Sequence, residues 1–426
     1  MIILKNATFI DWESLAFTKS NILVPKGVDQ AIQFVKEIPK ELNAEATLID
    51  CTGKYVTKSF VNGHHHVYSA LATGMPAPKK IPGNFYEILK YIWWTLDKSL
   101  DLEMIKTSAY VTAIACAKSG VTFAIDHHAS PFAVEGSLQT IADAFNEVGV
   151  SHLLSYELTD RDGVKIANQG LAETENYLKN NQGLVGLHAS FTLTNKTLEK
   201  AANLARKYNT GVHVHVAEDL YDQEHCYDIH NKRVIERFND LGILNLKRSL
   251  LVHCLYLTNA ERDLIRESGL FVAQNTESNL NNNVGQFNSC AIGNNIMLGT
   301  DGMHSDMLRA AKATFYNGQL NDTIDYAEIY HRFRNANRYL KTNNFKGDGE
   351  NNLVVLDYLP STYMSESNFL GHFLFGLDTT HVQHVIANGE LIVKDRIITK
   401  VDESAIKLKA QQISQKLWNK MQTIPL

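Results

Sequence analysis

From about Ser59 onward the chain alternates short apolar runs with amphipathic stretches, and that alternation restricts it to strands and helices taking turns in a parallel sheet. The runs begin near Val56, Val121, His152, Leu184, Val212, Leu250, Leu270 and Ile296. Between them, Leu138 to Val148, Lys196 to Tyr208, Val234 to Leu241 and Asn259 to Glu267 carry helical spacing, the last opened by a Thr258/Glu261 capping box. Gly120, Gly149, Gly211 and Gly269 stand between a helix and the next strand, where a positive φ is often needed. Eight β/α units in one unbroken run predict an α/β fold closed as a (β/α)8 TIM-like barrel over residues 56–341.

The two ends read differently. Residues 1–55 and 350–402 are rich in short β-type runs such as Leu353-Val354-Val355-Leu356, and they predict one small β-sandwich domain built from both termini. The segment Thr342 to Asn352, centred on Gly347-Asp348-Gly349, reads as a linker, and residues 403–426 as a closing helix.

At 426 residues, with 44% hydrophobic and 20% charged residues, the chain can bury a large core. A net charge of -5 and the lack of a Lys/Arg run argue against nucleic acid or an anionic membrane as partner and favour a small molecule. The start, Met1-Ile2-Ile3-Leu4-Lys5, lacks the pattern of a secretory leader, and no apolar stretch approaches membrane-spanning length, so a cytoplasmic protein is expected. Cys51, Cys116, Cys226, Cys254 and Cys290 form no CxxC pair and read mostly as buried packing residues.

The strongest chemical signal is Asn62-Gly63-His64-His65-His66 at the end of the first strand. Residues two apart in an extended chain project to the same side, so His64 and His66 can grip one ion while His65 points away. His215 closes Gly211-Val212-His213-Val214-His215, His253 closes Leu250-Leu251-Val252-His253, and Asp301 follows Met297-Leu298-Gly299-Thr300. In a barrel these strand ends meet at one mouth, and imidazoles with a carboxylate suit Zn²⁺ or Fe²⁺ with a position left for water. His213 is expected to face elsewhere. Glu218, three residues past His215, can reach such a water and move its proton. The fourth strand ends in Leu187-His188-Ala189 with no Lys to be carboxylated between two ions, which favours one metal. His188 and His127 are candidate substrate contacts, as are Arg161 and His304 on the loops after strands three and eight, while Trp93-Trp94 reads as core or lid packing.

Taken together, Phe85-Tyr86-Glu87-Ile88-Leu89, Trp93 to Lys98, Gly120 to Pro131, Asp160-Arg161-Asp162-Gly163, Gly186 to Thr194, His215-Val216-Ala217-Glu218-Asp219, Asn275-Thr276-Glu277-Ser278-Asn279 and Gly299-Thr300-Asp301-Gly302 resemble the deaminase-like branch of the amidohydrolase superfamily. Within that branch the chain is most similar to the SsnA-type aminohydrolases. The resemblance implies His64, His66, His215 and Asp301 as ligands of one divalent ion (Zn²⁺ first, Fe²⁺ or Mn²⁺ as alternatives), His253 beside the water, Glu218 as proton shuttle, Asp301 as base, and a homodimer. Two departures stand out: Lys58-Ser59-Phe60 where the family usually has Pro-Gly-Phe, and Thr276 where it usually has Pro. The activity implied is hydrolytic deamination of an amino-substituted purine- or pyrimidine-like ring. Hydrolysis of a cyclic amide or imine, dechlorination of a triazine-like ring, and a non-enzymatic scaffold are the alternatives.

Overall fold

The computed structural model describes residues 1–39, 41 and 46–425. Residues 40 and 42–45 of the expected N-terminal β segment, and residue 426 of the expected closing helix, lie outside the described residues. The first strands are β1 (Ile2–Ile10), β2 (Phe17–Val24), β3 (Gln33–Val35), β4 (Thr47–Asp50) and β5 (Tyr55–Lys58). Then come β6 (Phe60–His65), β7 (Val121–His128), β8 (Ser151–Tyr156), β9 (Val185–Leu187), β10 (Val212–Val216), β11 (Leu250–His253), β12 (Phe271–Gln274) and β13 (Ile296–Leu298). The last four are β14 (Leu353–Leu356), β15 (Val382–Ala387), β16 (Glu390–Lys394) and β17 (Ile397–Ile398).

Strands β6 to β13 are the barrel. They pair in parallel in chain order, β6 to β8 in one ladder and β9 to β13 in another. Parallel bridges between Leu154 and Gly183 and between Leu158 and Leu187 join β8 to the start and end of β9, and a bridge between His65 and Asp301 joins the last strand's end to the first. The ring is filled by Val61, Phe123, Ile125, Leu153, Val252, Ala273 and Met297, a packed interior of the kind such barrels require. The helices Ser137–Val148, Asn195–Lys207, Val234–Asp240 and Asn259–Ser268 fall within one or two residues of their sequence patterns. In the last, Thr258 Oγ1 accepts from the Glu261 N–H at 3.3 Å while the Glu261 carboxylate accepts from the Thr258 N–H at 2.9 Å, the reciprocal capping the sequence implies. Gly149 ends its helix at φ +93°, but Gly211 is there for a different reason. A Cβ on Gly211 would lie 2.2 Å from the Ser249 nitrogen, so it permits close approach of two backbones and not a left-handed turn.

The sandwich expected from both termini forms as one branched nine-stranded sheet in the order β17-β16-β15-β14-β5-β1-β2-β3, with β4 beside β1, around a core of its own that includes Ile2, Leu4, Val24, Val355 and Ile386. Val56 belongs to this sheet, opposite Val355, and does not open the first barrel strand as its apolar neighbours suggested. The chain changes sheets at Ser59: its N–H donates to Asn352 O at 3.0 Å, and the next N–H, of Phe60, donates to Gly120 O at 2.9 Å. Tyr55-Val56 and Phe60-Val61 are short apolar runs close together, so the pattern by itself does not reveal the switch.

Lys58, one of the two departures, has a structural role at that switch. Its buried ammonium is 2.7 Å from Asp348 Oδ1 and donates to the Asp348 carbonyl at 2.8 Å, which ties residues 347–349, read as a linker, to the base of the barrel. Arg334 donates to the Ser59 and Lys58 carbonyls from the other side. Thr276 opens the helix Thr276–Asn281 and meets Thr314 Oγ1 at 2.9 Å. The closing helix is present over Glu403–Met421. Removing one partner of a buried pair strands the other charge, so Asp348→Ala is expected to lower the unfolding free energy by about 3 kcal/mol, read by urea denaturation. A loss below about 1 kcal/mol would assign the anchoring to the carbonyls instead.

Candidate functional site

The C-terminal ends of the barrel strands turn polar together. β6 delivers His64 and His66, β10 delivers His215, β11 delivers His253, and Asp301 follows β13. Four residues at these ends hold positive φ without being glycine: Ala217 (45°), His253 (69°), Cys254 (55°) and Asp301 (53°). Such backbone is uphill for an L residue, and its clustering where strands leave the ladder aims side chains into the mouth.

Asp301 is the hub. Its Oδ1 lies 3.0 Å from His66 Nε2 and 3.4 Å from His64 Nε2; its Oδ2 accepts from Ser278 Oγ at 2.6 Å and lies 3.9 Å from His253 Nε2. His253 Nε2 is in turn 3.3 Å from Glu218 Oε2. The ring nitrogens facing away from this centre are held from behind. His64 Nδ1 meets His213 Nε2 at 2.8 Å, His66 Nδ1 donates to the His127 carbonyl at 2.6 Å, and His253 Nδ1 meets the Asn279 amide at 2.8 Å. Such contacts set tautomer and ring orientation.

Two buried nitrogens, His64 Nε2 and His215 Nε2, have no hydrogen-bond partner. Buried polar atoms are rarely left so, and here their neighbours are further imidazoles and a carboxylate, with donor atoms of His64, His215 and His253, and of His64, His66 and Asp301, within 4.8 Å of one another. That donor set fits a divalent cation taking N and O ligands, and His64, His66, His215 and Asp301 could hold it.

Burial holds His64 and His215 well below the ordinary imidazole range, so both offer a lone pair at neutral pH. His66 differs: burial pulls it down, but the Asp301 carboxylate outweighs that and lifts it to about 9. Asp301 itself, despite burial, sits well below the usual carboxylate range because the His64 and His66 imidazoles lie against its Oδ1. Burial, and then the Asp301 charge, push Glu218 well above that range, which favours its protonated form.

The pocket over this cluster has about 610 Å³ of empty space, open solvent at its mouth included. One wall is polar, with His188, Glu218 and Asp301; the other is apolar, with Phe85, Leu89, Trp93 and Trp94. The tryptophans read from sequence as core or lid packing thus wall the pocket. His188 lines it as expected, oriented by Thr192 Oγ1 at 2.8 Å. Arg161 is set behind Trp94, its guanidinium 4.9 Å from that ring and paired with Asp97, and it faces an adjoining chamber. Burial lifts Asp97 to about 6 against the pull of Arg161.

Other expectations need correction. His127 does not line the pocket: its ring packs 4.7 Å from those of His213 and His215, and its Nε2 meets the His213 carbonyl at 3.1 Å, making it a buttress. His304 is drawn aside by Glu277, 2.5 Å away, and also lies outside the pocket lining. His213 does not face elsewhere. It is two residues from His215, so both rings enter the barrel, His213 lower down, where Ser155 Oγ meets its Nδ1 at 3.1 Å. His65 points away from the cluster, to Ser305 Oγ at 3.0 Å. Sequence reasoning passed over Glu157, Asp97, Ser278 and Asn279; Glu157 carried the same signal as Glu218, a carboxylate just past an apolar strand.

A closed parallel barrel with imidazoles and carboxylates converging at its C-terminal mouth defines the class: a barrel protein built around a polar hydrolytic-type site. Within that class the chain belongs to the amidohydrolase family, whose model matches residues 55–362. It is 26% identical over 407 residues to the 5'-deoxyadenosine deaminase of Methanocaldococcus jannaschii, covering 90% of this chain and 93% of that protein. It is 22% identical to the 5-methylthioadenosine/S-adenosylhomocysteine deaminase of Thermoanaerobacter pseudethanolicus, covering 87% and 89%. Its fold matches an adenosine deaminase from Xanthomonas campestris with bound zinc at a TM-score of 0.80, with 18% identity and 98% of each chain covered.

In the metal-free chain, Asp301→Asn is expected to move the His66 titration down from about 9, because the carboxylate that chiefly opposes burial is gone and only the Glu157 charge and the His127 carbonyl still oppose it. An NMR pH titration of the imidazoles reads it; an unmoved midpoint would mean that another carboxylate raises His66.

Proposed function

We propose that this amidohydrolase hydrolytically deaminates an amino-substituted purine- or pyrimidine-like heterocycle, releasing ammonia. The observation that carries this reading is the meeting, at one mouth, of the unpaired His64 and His215 nitrogens with two carboxyls, Glu218 and Asp301, the first pushed up by burial and the second held down by its imidazole neighbours. The named activities of the relatives, deaminases of adenine nucleosides that the chain matches along most of its length, support the same reading.

In this reading His64, His66, His215 and Asp301 hold one divalent ion, with zinc first and iron or manganese as alternatives. Such an ion supplies a water whose pKa falls toward ~7. The side chains do the rest. Asp301 takes the proton of the attacking water on Oδ2, which Ser278 positions. Glu218 gives its proton to the ring nitrogen beside the attacked carbon, and the carbon–nitrogen bond to the amino group breaks once that group has been protonated in turn. His253, 3.3 Å from Glu218 and 3.9 Å from Asp301, lies between the acid and the base and orients the oxygen. Phe85, Leu89 and Trp94 give a flat ring an apolar face to lie on and keep bulk water out.

Ammonia release from aminopurines, aminopyrimidines, pterins, triazines and 5'-modified adenosines by metal-loaded protein tests the reading. Turnover of at least one ring class is expected, reduced by at least about 100-fold in Glu218→Ala and abolished in His215→Ala. Ring opening or chloride release without ammonia, or silence from fully metal-loaded protein, would overturn it.

His66 carries a proton in the metal-free chain near neutrality and must lose it to ligate. Metal uptake is therefore expected to release about one proton per ion, and affinity to rise about tenfold per pH unit up to about 9. Calorimetry in buffers of different ionisation enthalpy checks this, and uptake without proton release would remove His66 from the ligand set.

A further inference from the structure

Glu157 has no part in the chemistry above, yet it stands in the pocket. It follows Tyr156 at the end of β8, is 4% exposed, and lines the pocket beside His188 and His215. One of its carboxylate oxygens lies within 4.8 Å of a ring nitrogen of each. Its main chain is fixed, the N–H donating to the His128 carbonyl at 2.7 Å. Among the described residues the side-chain approach to its carboxylate comes from His127, whose Nδ1 is 3.3 Å from Oε2 but out of line, so that this nitrogen has no hydrogen-bond partner. Burial pushes the Glu157 carboxyl up, but the charges of His188, His127 and Arg161 outweigh it and hold it well below its usual range.

A carboxylate in a pocket wall needs donors, and where the fold supplies none in line they come from water or from the ligand that displaces it. Unlike an amide, an ionised carboxylate only accepts. Its place decides which donors it meets. Glu157 is a neighbour of His215, one of the imidazoles of the hydrolytic cluster, so it faces the ring under attack and not a substituent reaching beyond that ring.

We propose that Glu157 is a specificity residue that accepts hydrogen bonds from N–H groups on the substrate ring. The site then takes amino heterocycles with a ring N–H beside the amidine carbon, as in 2-amino-oxopyrimidines and 2-aminopurinones. It disfavours rings such as adenine, whose matching edge presents only lone pairs. The proposal rests on the deaminase reading and names its substrate class.

The test compares full-length, metal-loaded wild type with Glu157→Gln and Glu157→Asp. It measures kcat/KM for isocytosine, guanine and a pterin against adenosine and 5'-deoxyadenosine, and the calorimetric Kd of guanine and adenine. Wild type is expected to favour the N–H-edged rings. Glu157→Gln, which keeps the shape and loses the charge, is expected to lose at least about tenfold on those rings while adenine-type rates hold or rise, with Glu157→Asp between the two. Equal losses on every ring would make Glu157 a support for His127 and His188 and overturn the proposal. So would a loss confined to ribosides and absent from their 2',3'-dideoxy analogues, since the donors would then be sugar hydroxyls. If no ring releases ammonia from any of the proteins, the deaminase reading fails by itself. The calorimetry then decides for Glu157: guanine bound more tightly than adenine and weakened in Glu157→Gln upholds the donor-edge assignment, and equal binding overturns it.

Discussion

The bridge between His65 and Asp301 closes the barrel, and the same contact assembles the site. The Thr300 and Asp301 N–H groups both donate to the His64 carbonyl at 3.0 Å, so the end of the last strand is tied to the end of the first by backbone alone. That seam brings the Asp301 carboxylate against His64 and His66. A barrel that failed to close there would lose its mouth and its polar cluster together, which makes the fold and the chemistry one constraint.

Below the seam lies a second polar layer that a barrel interior would otherwise exclude. Ser155, His213 and His64 form one line of contacts, and His127 and His66 another. Buried polar groups are tolerable when each is satisfied and costly when one is not. The layer is therefore informative where satisfaction stops: at His64 Nε2 and at His215 Nε2, in residues whose ligand atoms converge to within 4.8 Å of one another. The burial that would penalise these groups also separates their proton affinities. His64 and His215 are held down by burial, His66 is lifted by Asp301 and Glu218 by burial, and Asp301 and Glu157 are held down by their neighbours. An acid and a base of the same residue type can thus act side by side.

Much of this was legible in the chain. The strand starts from Val121 to Ile296 needed only short apolar runs between amphipathic helices, and the spacing of His64 and His66 needed only the alternation of side chains along a strand. Val56 was misplaced because two apolar strands with Ser59 between them look like one. His127 and His304 were plausible substrate contacts by position, and the structure engages both elsewhere, His127 in the barrel interior and His304 with Glu277. His213 shows the opposite failure: the alternation rule that selects His64 and His66 also selects His213 with His215, at a lower level that a one-dimensional pattern does not rank.

What the sequence by itself determined is the set of local facts: eight alternating units, polar residues at their ends, the capping of individual helices, and the donor types available for chemistry. These depend on neighbours a few residues away, and periodicity records them. The tertiary structure decided which of those donors share a space and which are already spent. Asp301 meets His66 across 234 intervening positions of chain, Lys58 meets Asp348, and Glu157 finds no aligned donor, because hydrogen-bond satisfaction and burial are set by contacts between distant segments that no local pattern contains.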